Sequence, residues 1–139
     1  MRDALFQKGL RVRKQVIGAE YVERSLENAD RYAMPVQELA TKAAWGLVWS
    51  RPGISHQWRS VLNLGMLTAL NMPHELNVHI RAALRNGLTR AQVSECLLQT
   101  AIYCGFPAAL AAFRSAQEVF AEEDRQGAAK RRSRKVRKI

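Results

Sequence analysis

The chain has 139 residues, 47% of them hydrophobic, which is enough for one domain with a buried core and short for two. Its formal net charge is +10, but residues 125–139 hold eight Lys or Arg and no acid, which leaves 14 basic and 12 acidic residues in 1–124. The start of the chain lacks the apolar stretch of a secretory signal, and the most apolar segment, 61–70, is too short and polar to span a bilayer, so a cytoplasmic protein without a membrane segment is predicted.

Helical periodicity runs through almost the whole chain, and no segment alternates apolar and polar residues with the period of a strand. We expect a first helix from Asp3 to about Val16 and a short, polar second helix from Val22 to Tyr32. Pro35 suits the first turn of a third helix, which runs to about Trp49 and ends at the SRPG sequence of residues 50–53.

The middle of the chain carries clear signals for helix boundaries. Ser55 is the predicted N-cap of a helix that runs to about Asn71. Its apolar residues wrap nearly all round, which favours burial within the subunit or at a subunit interface. Pro73 begins the next helix, which ends at Gly87, a residue suited to the position just after a helix.

Thr89 followed by Gln92 predicts a capping box for a helix through Tyr103, and the GFP sequence at 105–107 then separates it from a last helix, Ala108 to about Ala121. The predicted fold is therefore an all-α, single-domain bundle of about six or seven helices in residues 1–124. The basic residues 125–139 are predicted to form a disordered tail. Such a tail is either an inert extension or an arm that contacts the phosphates of a nucleic acid or another polyanion.

The two cysteines, Cys96 and Cys104, lie on one predicted helix and are eight residues apart. At 1.5 Å per residue they are roughly 12 Å apart along the axis, too far for a disulfide. They do not form a CxxC sequence, so neither a redox dithiol nor a zinc knuckle is indicated. Two reduced cysteines in or near the core are expected.

Three segments occur in an order that is typical of one protein family: AWGLVWSRPG at 44–53, HELNVHIRAALRNGLT at 74–89 and YCGFPAA at 103–109, with Arg59 six residues beyond the RPG glycine. Over nearly all of residues 5–122 the chain resembles the carboxymuconolactone decarboxylase family. The resemblance implies an all-α, alkylhydroperoxidase-like fold and homo-oligomers, often trimers or hexamers. It also implies decarboxylation of 4-carboxymuconolactone to the β-ketoadipate enol-lactone in protocatechuate breakdown, with no metal and no organic cofactor.

The peroxidase branch of the same fold depends on a CxxC sequence just before the matching histidine. This chain has NMPHELNVH at 71–79, without a cysteine, so disulfide reductase chemistry is excluded. Leu47 and Trp58 also differ from the residues that decarboxylase members commonly carry. The resemblance therefore predicts the reaction class and leaves the substrate open.

The implied reaction needs cations that hold carboxylates, a group that stabilises the oxyanion developing on the lactone, and a proton donor. Arg51 and Arg59 fit the first need, because a guanidinium group binds a carboxylate through two parallel hydrogen bonds. Arg51 is alternatively a loop charge that caps the preceding helix. Arg59 is alternatively a surface residue beside an apolar helix.

His79 fits the need for a proton donor, because an imidazole titrates near neutral pH, and it would either donate the proton or stabilise the oxyanion. On periodicity alone, a histidine on an apolar helix face is more often a core residue with a satisfied hydrogen bond. Glu75, one turn earlier, either orients His79 or stabilises the N-terminus of its helix. Glu38 is either a buried acid that acts with His79 or a surface charge in the first turn of its helix.

Three further residues are candidates for contact with the substrate. Trp45 lies one turn before Trp49, and packing in a core or interface is favoured over a role in the pocket wall. Tyr103 and Cys104 end a helix beside the GFP turn and either line the pocket or pack.

The favoured function is a cofactor-free carboxy-lyase acting on a small carboxylated lactone. The alternative is a non-catalytic homo-oligomer whose basic tails together bind nucleic acid or another polyanion.

Overall fold

The structure, a computed structural model, describes residues 3–136, and the regular structure in that range is entirely helical. The all-α prediction is therefore confirmed. The seven α-helices are α1 (Ala4–Ile17), α2 (Ala19–Glu27), α3 (Met34–Ala40), α4 (His56–Ala69), α5 (Pro73–Arg85), α6 (Arg90–Tyr103) and α7 (Phe106–Val136), and a π-helical segment, Thr41–Trp49, continues α3. Within 3–136 no helix is both long enough and apolar enough to cross a membrane.

The helices form two compact units. The first comprises the residues up to Leu62 together with Ala82–Leu88. The second comprises Asn63–Arg81 together with the residues from Thr89 onward. Helices α4 and α5 therefore contribute residues to both units.

In the first unit, α1 packs directly against the π-helical segment. A Cβ atom on Gly9 would lie 2.0 Å from the carbonyl oxygen of Thr41, and one on Gly46 would lie 2.9 Å from the Leu5 side chain. Such a close approach of two backbones requires positions without side chains. These glycines are therefore a packing requirement of the first unit.

A buried arginine joins α1 to the start of the π-helical segment. Arg13 donates from Nη1 to Oγ1 of Thr41 at 3.0 Å and from Nη2 to Oε1 of Gln37 at 2.8 Å. The Thr41 hydroxyl in turn donates to the carbonyl oxygen of Gln37 at 2.7 Å. Burial lowers the pKa of Arg13, and the two hydrogen bonds offset part of the cost of removing its charge from water.

Three of the predicted helix boundaries are confirmed. Ser55 precedes α4 and accepts a hydrogen bond on Oγ from the backbone N–H of Trp58 at 3.2 Å. Thr89 and Gln92 form a complete capping box before α6. Gly87, just past the end of α5, has φ = 101°, a conformation that glycine adopts without strain.

Two predictions in the first unit were wrong in detail. The second helix ends at Glu27 and not at Tyr32. Oδ1 of Asp30 accepts hydrogen bonds from the backbone N–H groups of Tyr32 and Ala33, both at 2.9 Å, and stabilises a turn there. The third helix was predicted to stay α-helical to Trp49, but it becomes a π-helix at Thr41, where α1 and Arg13 make their contacts.

The predicted end of the last helix near Ala121 was also wrong. Helix α7 continues to Val136, so the prediction of disorder fails for residues 125–136, while 137–139 lie outside the described residues. No proline interrupts this part of α7, and alanine, arginine and lysine are good helix formers. Arg90 also binds Asp124 at 2.7 Å, which ties α7 to α6 beyond the predicted end. A role for the basic residues in binding a polyanion stays a prediction.

Candidate active site

His79 is half-buried on α5 in the second unit, beside Asn63 of α4. Nδ2 of Asn63 lies 3.2 Å from Nδ1 and 3.5 Å from Nε2 of the imidazole. Burial is the main cause that lowers the pKa of His79 to about 4, and the negative charge of Glu75 opposes the shift. The His79 side chain is therefore neutral near pH 7.

A neutral imidazole has one N–H donor and one acceptor nitrogen. It can donate a hydrogen bond to an oxygen on which negative charge develops, but it does not carry the extra proton of an imidazolium acid. The environment of His79 therefore favours stabilisation of an oxyanion over proton donation by an imidazolium ion.

The two predicted glutamates have different surroundings. Glu75 is exposed in the first turn of α5, where a negative charge also favours the helix, and its charge acts on His79. Both roles predicted for Glu75 are therefore compatible with its position. Glu38 is half-buried on α3, in the first unit.

The structure brings the two predicted arginines together in the first unit. Nη2 of Arg59 donates to the carbonyl oxygen of Arg51 at 3.3 Å. Nε of Arg59 is buried and has no hydrogen-bond partner within the described part of the chain. Since a buried donor without a partner is costly, Arg59 retains a capacity to bind an incoming carboxylate.

The remaining candidates differ in exposure. Trp45 is buried, and its ring centroid lies 5.0 Å from that of Trp49, which agrees with the packing interpretation. Tyr103, in contrast, is 82% exposed at the end of α6. Cys104 is half-buried directly after it, and both cysteines, Cys96 and Cys104, are free. Contact of Trp45, Tyr103 or Cys104 with a substrate stays a prediction.

Asn63 is the polar partner that sequence reasoning missed. In the sequence it is one polar residue in an otherwise apolar helix, and its partner His79 lies sixteen residues further along the chain, on the next helix. The sequence feature that could have identified Asn63 is its position on α4, four residues after the candidate Arg59. Within residues 3–136, no three His, Cys, Asp or Glu side chains are arranged to hold a metal ion.

Comparisons with known proteins show which family the chain is similar to. The model of the carboxymuconolactone decarboxylase family matches residues 35–118. The chain is 42% identical over 127 residues to the nitrosuccinic acid decarboxylase of Metarhizium robertsii, which covers 91% of this chain and 89% of that protein. It is 41% identical over 115 residues to the 4-carboxymuconolactone decarboxylase of Acinetobacter baylyi, which covers 83% of this chain and 86% of that protein.

Proposed function

This chain belongs to the carboxymuconolactone decarboxylase family, and from that premise we propose that it is a carboxy-lyase acting on a small acid with two carboxylates. The observation that carries the proposal is the similarity, over 91% and 83% of the chain, to two proteins named as decarboxylases. The resemblance described from the sequence motifs is to the same family.

The acids in the names of those two relatives have two structural features in common. Nitrosuccinic acid and 4-carboxymuconolactone each carry two carboxyl groups. In each acid, one carboxyl group sits on a carbon whose electron pair can pass to an oxygen-bearing group once CO₂ departs. That group is the nitro group in the first acid and the unsaturated lactone in the second. We take 4-carboxymuconolactone, giving the β-ketoadipate enol-lactone, as the first candidate substrate and nitrosuccinate as the second.

In the proposed reaction the C–CO₂ bond breaks, the electron pair passes to the substrate's own oxygen group, and a proton taken from solvent then replaces CO₂ at carbon. Because the substrate supplies the electron sink, no cofactor is needed to accept the electrons. The protein's task is to bind the carboxylates and stabilise the oxyanion.

We assign carboxylate binding to Arg51 and Arg59 and oxyanion stabilisation to His79. The unpartnered Nε of Arg59 supports the first assignment, and the neutral state of His79 supports the second. Glu75 influences the protonation of His79 through its charge. Glu38 is proposed as a second acid acting with His79.

Replacement of Arg59 by methionine tests the carboxylate assignment. Loss of a hydrogen bond between charged groups costs about 1.5–3 kcal/mol, so KM should rise roughly 10- to 100-fold while kcat changes less. Steady-state assays with 4-carboxymuconolactone and with nitrosuccinate measure both constants.

The matched control for this assay is Arg125→Met, which removes one exposed positive charge from α7. It should leave KM close to that of the unchanged protein. An unchanged KM in Arg59→Met, or an equal rise in Arg125→Met, would remove the anchoring role of Arg59.

We also propose that the chain assembles as a homo-oligomer, a trimer or a hexamer. Helix α4 buries Ser60, Leu64 and Thr68, yet it leaves several large apolar side chains exposed. Further large apolar side chains are exposed at the end of α6 and the start of α7. The first surface consists of Trp58, Leu62 and Met66 of α4 with Leu70 just after the helix, and the second consists of Ile102, Tyr103, Phe106 and Leu110. Contact with further copies of the chain would bury them.

Light scattering on the purified protein should give a mass of three or six chains of 15.7 kDa. Ile102→Asp places a charge at a side chain that is 74% exposed, so it should break assembly without unfolding the chain. Gln7→Asp, at an exposed residue of α1 that belongs to neither apolar surface, is the control and should leave the mass unchanged. A monomeric unchanged protein would contradict the proposal.

A further inference from the structure

The end of the chain carries the densest charge in the molecule. Residues 125–139 hold eight of the 22 Lys and Arg residues and no acid, while residues 1–124 hold 14 basic and 12 acidic residues. The charge that attracts an anionic partner is therefore concentrated at one end of a chain whose remainder is nearly neutral. We term residues 125–136, the part of this run that the structure describes, the basic extension.

The basic extension is helical, and its positive charges face the solvent. Helix α7 continues through it without a break. Its exposed basic side chains are Arg125, Lys130, Arg131, Arg132 and Arg134. The acids just before it bind to other helices, since Glu122 pairs with Arg81 of α5 and Asp124 pairs with Arg90 of α6. These ion pairs hold α7 in place as far as Asp124 and leave the cations beyond it for an external anion.

The directions of the charges distinguish between anionic partners. Successive residues of an α-helix point about 100° apart, so Lys130, Arg131 and Arg132 face three different sides of the basic extension. The uncharged residues of 126–133 include no large apolar side chain. A helix that binds a membrane surface needs an apolar face, and a flat surface meets the charges on one side only. A partner that uses all of these charges presents anions on more than one side of the helix.

The major groove of duplex DNA has that geometry. It is about 12 Å wide and admits an α-helix, and the phosphates of the two strands lie along its two edges. At 1.5 Å per residue the basic extension is about 18 Å long, which is enough to lie within the groove. The major groove of an RNA duplex is deep and narrow, so it fits the helix less well.

We propose that the basic extension of α7 binds duplex DNA by entering the major groove and contacting phosphates of both strands. Such contacts supply affinity that does not depend on the base sequence. The match to the decarboxylase family ends at residue 118, so the proposal is independent of the proposed function. A chain that binds DNA and decarboxylates neither candidate acid would leave it standing.

The test is the fluorescence anisotropy of a labelled DNA duplex of about 20 base pairs, titrated with the full chain. Each phosphate contact releases a counterion, so five contacts predict an affinity that falls roughly 500-fold as the salt concentration rises from about 50 to 200 mM. An affinity that does not respond to salt, or no binding at about 50 mM salt, overturns the proposal.

A triple variant tests whether the basic extension supplies these contacts. Arg131→Gln, Arg132→Gln and Arg134→Gln together remove three charges, and glutamine favours the helix. With two contacts left, the affinity should fall only roughly 10-fold over the same salt range. At about 50 mM salt the variant should bind at least about 100-fold more weakly than the unchanged protein.

The matched control removes three exposed positive charges outside the basic extension, by Lys8→Gln, Arg11→Gln and Arg114→Gln. Its net charge equals that of the first triple variant, but its DNA affinity and salt response should stay close to those of the unchanged protein. Equal losses in the two triple variants would show a general attraction to a positive protein and would overturn the proposal.

Ala129→Pro tests the helix while leaving every charge in place. Proline breaks the interior of a helix, and the residues beyond position 129 are too few to form a stable helix alone. The ordered arrangement of cations is lost, so DNA affinity should fall about 10-fold or more. Ala129→Gln keeps the helix and is the control. Circular dichroism measures the helical content of both, and unchanged affinity in Ala129→Pro would rule out binding as a helix.

Two other anions decide the class of partner. An RNA duplex of the same sequence, and phosphatidylcholine vesicles with about 30% phosphatidylserine, should each bind more weakly than DNA at the same salt concentration. Tighter binding to the RNA or to the vesicles than to DNA would assign the basic extension to that partner and overturn the proposal.

Discussion

Replacement of His79 by alanine is expected to lower kcat for decarboxylation by about 10²- to 10³-fold, because removing one preorganised donor to an oxyanion has an effect of that size. Alanine favours the helix, and the variant leaves the buried Leu76 and Ile80 of α5 in place, so it should keep the helical content and the assembly of the unchanged protein. Initial rates of CO₂ release at saturating substrate measure the effect.

A second substitution at the same position tests how His79 acts. Glutamine carries a neutral N–H donor, so His79→Gln should retain more activity than His79→Ala. His74→Ala, at an exposed residue of the same helix, is the matched control and should keep full activity. Full activity in His79→Ala would remove His79 from the chemistry.

Gly9→Ala is expected to have the largest effect on stability. The added Cβ would lie 2.0 Å from the carbonyl oxygen of Thr41 and 2.9 Å from the backbone nitrogen of Gly46, so the backbones of α1 and the π-helical segment must separate. Overpacking of this kind costs about 3 kcal/mol or more, which corresponds to a melting temperature lower by roughly 10 °C. Thermal unfolding followed by circular dichroism measures the change.

Gly127→Ala is the matched control, because it makes the same exchange within a helix. Its nearest neighbour, Nη2 of Arg131, would lie 3.7 Å from the new Cβ, an ordinary contact. Alanine also favours the helix, so stability should stay the same or rise by up to about 1 kcal/mol. Equal melting temperatures for Gly9→Ala and the unchanged protein would show that α1 and the π-helical segment do not pack as described.

The parts of the fold that the sequence predicted well depend on interactions between near neighbours. Three helix boundaries depend on contacts between residues a few positions apart, so the residue types alone predict them. They are the Ser55 cap, the capping box of Thr89 and Gln92, and the glycine at 87. The change to a π-helix at Thr41 depends on Gly9 and Arg13, which lie on another helix. Periodicity carries no information about such a contact.

The same distinction applies to the candidate site. The family motifs pointed to Arg51, Arg59 and His79, and the structure adds that the two arginines are in contact. The unperturbed pKa of a histidine side chain suggested that His79 titrates near neutral pH. Burial lowers the pKa of His79 to about 4 and makes the side chain neutral instead, and this burial arises from packing that sequence spacing does not show.

The most direct test of the account is whether the purified chain releases CO₂ from 4-carboxymuconolactone or nitrosuccinate. The account predicts one equivalent of CO₂ for each molecule of at least one of these acids, at a rate that falls sharply in His79→Ala. A folded protein that releases no CO₂ above the uncatalysed rate from either acid would contradict it.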